Sequence, residues 1–184
     1  MDKKEHVIPR AGADPFAGNP YGFRMKVPEH LYNRGELYNL RVRKGTLSQE
    51  ERFKINEHII QTIMMLDKLP FPSYLEHVGE IAGAHHETMN GTGYPRRLTK
   101  EEMSIAARIM AIADIFEALT ASDRPYKKAK TLSESLRIMS SMRDDHHIDG
   151  KLFELFLRGG VYKRYAHQFL EPHQIDEVDI HAYL

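Results

Sequence analysis

From Thr46 onward, apolar residues recur at helical spacing. Ile55, Ile59, Thr62, Ile63 and Leu66 stand at i, i+4, i+7, i+8 and i+11, which is one side of a helix. Ser48 and Glu51 have the S-x-x-E spacing of a capping box that would start it. Pro70 and Pro72 disfavour continuation, so this helix is expected to end by about Leu69. A second helix is expected from about Ser73 to His86, with Leu75, Val78, Ala82 and His86 on one face. Asn90-Gly91 then marks a turn. Thr99 and Glu102 form another box, ahead of an apolar stretch from Met103 to Ala121. That stretch is apolar nearly all round, a pattern that predicts a helix inside the domain. Thr131 and Glu134 make a third box before Leu132, Leu136, Met139 and Met142. A last helical stretch starts near Lys151, breaks at Gly159-Gly160 and resumes to about Leu170. No segment alternates convincingly with period two, so the expected fold class is all-α.

The start of the chain is different. Pro9, Pro15, Pro20 and Pro28, with Gly12, Gly18 and Gly22, punctuate the first thirty residues and break helices. Only a short helix from about Glu29 to Leu40 competes with that irregularity. The expected organisation is an irregular arm or linker over 1–36, a helical domain over 37–170, and a peripheral tail over 171–184.

Composition narrows the chemistry. The chain has 184 residues, 26 Lys+Arg, 26 Asp+Glu and a formal charge of +0. A generally basic surface for a nucleic-acid polymer is therefore not expected. There is no cysteine, which removes disulfides, thiolate metal sites and thiol nucleophiles. The hydrophobic fraction is 41% and the mean hydropathy −0.52, as in a soluble globular domain. No apolar run reaches the roughly 20 residues of a membrane span. No signal-like apolar stretch is seen near Met1, so a cytoplasmic location is expected. Histidine is abundant, at 11, and any transition-metal site must use it with Asp or Glu.

Four polar residues fall where the helical pattern expects burial: His58, His85, His86 and Asp114. An unpaired buried carboxylate costs several kcal/mol, roughly, so Asp114 needs an arginine, a hydrogen-bond network or a metal. Three imidazoles and a carboxylate from three helices would suit a transition metal. Taken alone, each histidine reads more readily as hydrogen-bonded core than as a ligand, and Asp114 as a carboxylate paired with Arg108 or Arg124; it is the combination that points to a metal. The loop Asn90-Gly91-Thr92-Gly93-Tyr94-Pro95 is by itself a turn, and by position a rim of the same pocket. Arg124 and Lys127, in the run Asp123 to Lys128, read either as dipole-complementing charges after a helix or as a phosphate clamp. The stretch Asp145-His146-His147-Ile148-Asp149 is a rival metal cluster.

The run His85-His86-Glu87-Thr88-Met89-Asn90-Gly91-Thr92-Gly93-Tyr94-Pro95 resembles the signature of the HD-GYP family, HHExxxGxGYP. The segments around His58 and around Asp114 to Lys127 resemble the family as well, and the likeness covers roughly Leu37 to Leu170. The resemblance implies a helical bundle of the HD superfamily and a metal-dependent phosphohydrolase that hydrolyses the phosphodiester of cyclic di-GMP. Carried over by position, His58, His85, His86 and Asp114 match metal ligands for one or two divalent ions, Fe, Mn or another transition metal. Arg124 and Lys127 match contacts to substrate phosphate. Gly91, Gly93, Tyr94 and Pro95 match the loop used for substrate or for a partner such as a GGDEF-type domain or another signalling protein.

The chain departs from the family pattern in two respects: it contains no His-Asp dipeptide, and the family's additional N-terminal ligands have no match in Met1 to Glu36. The expectation is a C-terminal portion of such a domain, without the helices that carry the dyad. Impaired hydrolysis by this chain alone is expected, together with apolar faces that favour a homo-oligomer. The alternative is a non-catalytic module that binds a cyclic dinucleotide or a signalling partner, or a structural remnant without a ligand.

Overall fold

The computed structural model describes residues 6–10, 16, 18–43, 45–122 and 129–184. It is helical apart from one small sheet. Its two compact units are Met1–Gly79 and Glu80–Leu184, so the boundary falls within one helix.

In the first unit, β1 (Val7–Pro9) pairs antiparallel with β2 (His30–Asn33), with Val7 opposite Asn33 and Ile8 opposite Tyr32. These strands of three and four residues are too short to show a period in the sequence. A short helix α1 (Glu36–Leu40) follows. It is the C-terminal part of the expected Glu29–Leu40 helix, whose beginning is β2 instead.

Helix α2 (Gln49–Leu66) starts at Ser48 as expected. The Ser48 hydroxyl accepts from the Glu51 N–H at 3.2 Å, and the Glu51 carboxylate accepts from the Ser48 N–H at 2.8 Å. Its buried side is Phe53, Ile59, Ile60 and Ile63. Ile55, expected on that side, is 54% exposed. The stripe is therefore rotated toward Phe53, whose ring joins Phe16 and Phe23 in an aromatic cluster. That rotation also leaves His58 exposed rather than buried.

The second unit begins with the body of α3 (Val78–Ala84), which is shorter than the expected Ser73–His86 helix. Its first part is a separate 3-10 turn, Ser73–Leu75, in the first unit. The central helix is α4 (Ile105–Thr120), capped by the Ser104 hydroxyl. The Thr99/Glu102 box instead closes a 3-10 turn just before it. α4 packs on α5 (Leu132–Asp144) and α6 (Gly150–Arg158), and α6 packs on α7 (Val161–Phe169). The core joins Ile112 and Phe116 of α4 to Leu136 and Met139 of α5, Phe153 and Leu157 of α6, and Tyr162 and Ala166 of α7. The expected break between α6 and α7 is present, and Gly160 adopts a left-handed φ of 63° there. Full burial of α4 is not found: Ile105 is 60% exposed and Ile109 50%. Only the line through Ala107, Ala111, Ile112, Phe116 and Thr120 is buried.

The chain end is not peripheral. Gln174 is 1% exposed and donates to the carbonyls of Thr120 and Lys130. Tyr183 lies in the core, and its carbonyl accepts from Arg143 at 2.6 Å. Polar composition hid this, because the ordering groups are buried amide and hydroxyl contacts rather than an apolar stripe.

Asp149 ties several elements together. Its carboxylate caps α6 by accepting from Lys151 and Leu152 N–H, and it pairs with Arg108 of α4 and with Lys100 at 3.1 Å. Burial alone would raise its pKa, but bonds from Lys100 and Arg108 bring it below the usual carboxylate value. Its stabilisation is therefore present above the unfolded pKa of about 4 and is lost as pH falls through the lower folded value. Asp149→Ala is expected to cost about 3 kcal/mol in urea unfolding at pH 7, and the difference from wild type should shrink below about pH 4. A pH-independent difference would contradict this ion-pair account.

Candidate metal centre

His58 lies on the exposed side of α2. Its Nδ1 is 2.7 Å from the carbonyl of Ile55, three residues back. In the second unit, His85 has the same arrangement, with Nδ1 2.7 Å from the carbonyl of Ala82. A carbonyl only accepts, so Nδ1 must carry the proton in each ring. Nε2 is then the lone-pair nitrogen of the neutral imidazole. This is the orientation that metal-ligating histidines adopt when a carbonyl holds their other ring nitrogen.

His85 and His86 were expected as the last residues of a helix. They lie just past α3, in the turn that leaves it. This lets both rings sit side by side, with centroids 4.1 Å apart and planes tilted by 46°. His86 also stacks on Tyr94, at 4.8 Å and 20°. Burial raises the Tyr94 pKa, and the negative charge of Asp114 raises it further. The phenol is thus neutral at physiological pH.

Asp114 is half-buried on α4 and makes no hydrogen bond or ion pair among the described residues. Arg108, on the same helix, is engaged with Asp149. Asp114 does not close with His85 and His86 at ligand spacing. The rival cluster at 145–149 loses its key carboxylate, since Asp149 is committed to Arg108, Lys100 and the α6 cap. Arg124 and Lys127, with the rest of Asp123–Lys128, lie outside the described residues.

The loop after His86 is tightly built. Asn90 Oδ1 accepts from the Thr88 hydroxyl at 2.8 Å and the Thr92 hydroxyl at 2.7 Å. Gly91 has its N–H on the Thr88 carbonyl, and the Tyr94 N–H donates to the His86 carbonyl at 3.2 Å. Gly93 lies against the backbone of 86–88: a Cβ there would stand 2.5 Å from Glu87 Cα and 2.6 Å from the His86 carbonyl oxygen. Only glycine fits so close an approach. Pro95 is fully buried.

Glu87 was not singled out in the sequence beyond its place in the signature. Its side chain is buried, and its carboxylate accepts from the N–H groups of Arg96 at 2.7 Å, Arg97 at 3.1 Å and Leu98 at 2.9 Å. Burial raises its pKa, and those three bonds oppose the rise. The only signal available was an acid placed immediately after two histidines, with a loop to hold.

The family model described as HD domain matches residues 13–152 of this chain. The chain belongs to the HD domain family. Its relatives and its His85–Pro95 run agree with the HD-GYP type within that family. It is 42% identical over 96 residues to a 3'3'-cGAMP-specific phosphodiesterase of Vibrio cholerae, covering 52% of this chain and 20% of the relative. It is 33% identical over 140 residues to a cyclic di-GMP phosphodiesterase of Pseudomonas aeruginosa, covering 76% and 30%. A cyclic di-GMP phosphodiesterase of Thermotoga maritima is 37% identical over 112 residues, covering 61% and 28%. The aligned part is thus under a third of the length of each of these relatives. Among the described residues, no helix is long and apolar enough to cross a membrane.

The ring orientations predict a tautomer. Nitrogen-15 spectra of the metal-free chain above pH 8 should show His58 and His85 protonated at Nδ1. Protonation at Nε2 in either ring would contradict the carbonyl contacts.

Proposed function

We propose that this domain is a metal-dependent phosphodiesterase that hydrolyses cyclic dinucleotides, with cyclic di-GMP as substrate. His58, His85 and His86 hold a divalent transition metal, Fe or Mn, through imidazole nitrogen, and Asp114 contributes the negative charge that draws the ion in. The observation that carries this reading is the pair of Nδ1 contacts to main-chain carbonyls at His58 and His85, which presents Nε2 for coordination. When bound, the metal supplies Lewis acidity and activates water for attack on phosphorus.

The chain's own residues do the rest. Arg124 offers a planar fork and Lys127 a point charge to the non-reacting phosphate oxygens. Gly91 and Gly93 fold the loop tightly against residues 86–88 so that its outer rim faces the nucleotide, and the neutral Tyr94 hydroxyl donates a hydrogen bond at that rim. Pro95 fixes the exit of this loop. The partner of the outer loop surface is a GGDEF-type or other signalling domain, and the setting is the bacterial cytoplasm. The names of the three relatives support this substrate class.

The test is metal content and turnover of the purified chain. Wild type should bind Mn(II), and His86→Ala should weaken that binding by roughly 100-fold or more. Turnover of cyclic di-GMP with excess metal should be weak in this chain alone, because the His-Asp dyad is absent, and should be lost in the same variant. A wild type that binds no divalent metal overturns the reading, as does a His86→Ala variant that binds it equally well. Metal binding and nucleotide binding without turnover would make the domain a binding module.

A further inference from the structure

The signature loop returns to the histidines that precede it. Four contacts from consecutive parts of the loop converge on residues 86–88. Gly93 lies flat on their backbone. The Tyr94 N–H reaches the His86 carbonyl at 3.2 Å. The Tyr94 ring covers the His86 imidazole at 4.8 Å. The Glu87 carboxylate then gathers three successive N–H groups, from Arg96 to Leu98. Arg97 is held with a φ of 58°, a left-handed conformation that L side chains rarely adopt, and its N–H is one of the three. The carboxylate thus supports a backbone path that the loop would not choose unaided.

We infer that Glu87 is a positioning residue for His86: it anchors the exit of the loop, the anchored loop fixes Tyr94, and the Tyr94 ring holds the His86 imidazole in its ligating orientation. The loop therefore belongs to the metal centre's supporting structure as well as to its rim. This inference rests on the proposed metal site. Carboxylate chemistry explains why glutamate is needed. Both oxygens act as acceptors here, Oε1 for two N–H groups and Oε2 for one. A glutamine of the same shape would aim an NH2 group at a backbone N–H, and donor would face donor. An aspartate is one methylene short of the three donors.

The test compares wild type with Glu87→Gln, Gly93→Ala and Tyr94→Ala by Mn(II) titration calorimetry, circular dichroism and thermal melting. Each variant should keep wild-type helical content and bind Mn(II) about 10- to 100-fold more weakly, the usual loss when a ligand's support is removed. In the metal-free state, the His86 Cε1–H resonance should carry the ring-current shift of Tyr94. That shift should collapse in Glu87→Gln and Gly93→Ala, where the tyrosine itself is intact. If Glu87→Gln does not fold, Gly93→Ala and Tyr94→Ala carry the test. A lower melting temperature with unchanged Mn(II) affinity and an unchanged His86 resonance would reduce Glu87 to a structural residue and overturn the inference. Loss of metal in His86→Ala with wild-type binding in all three variants would also overturn it while leaving the metal site standing. Wild-type binding in His86→Ala would refute the metal assignment itself.

Discussion

A carboxylate exposed by only 1% must find donors, and Glu87 finds three in consecutive residues of one loop. Leaving such a group unsatisfied would cost several kcal/mol, on the order of a large share of a domain's stability. The chain is therefore constrained to return over residues 86–88 each time it folds. Much of the site's geometry follows from that constraint. Gly93 can only be glycine because the returning strand passes within contact of the Glu87 backbone. Tyr94 stacks on His86 because its own N–H is fixed to the His86 carbonyl.

Helix geometry supplies the second ordering principle. At both His58 and His85 the ring turns back to the carbonyl three residues earlier, one at an exposed helix side and one just past a helix end. The same local contact at two places far apart in sequence sets the same tautomer. Orientation of a ligand before metal arrives lowers the entropy lost on binding and favours one coordination geometry over others. Asp114 complements this as a half-buried carboxylate with no described cation beside it, on a helix that otherwise offers mostly apolar and small residues. Elsewhere on the same helix, Arg108 pairs with Asp149, which joins the α6 cap to two cations and ties α4 to α6.

Much of this was legible in the sequence. The all-α class, the capping boxes at Ser48 and Thr131, and the break at Gly159-Gly160 all follow from local rules that tertiary packing did not override. The His85–Pro95 signature likewise pointed to the family before any geometry was known. What stayed hidden was long-range. The stripe of α2 was misplaced because Ile55 is apolar yet exposed, while Phe53 is buried by rings from the arm. The ends of α3 and α4 moved because histidine, threonine and serine side chains permit both helix and turn, and nearby contacts decided. The β1–β2 pair and the buried Gln174 depend on partners about 25 and 50 residues away, respectively, which no local pattern reports. Glu87 is the sharpest case: its neighbours in sequence mark the motif, but its three donors lie nine to eleven residues on.

The most direct measurement is pulsed electron paramagnetic resonance of the Mn(II)-loaded chain with nitrogen-15 histidine. Three directly coordinated imidazole nitrogens are expected, falling to two in His58→Ala. An ion bound without histidine nitrogen, or a spectrum unchanged by His58→Ala, would contradict the histidine metal centre.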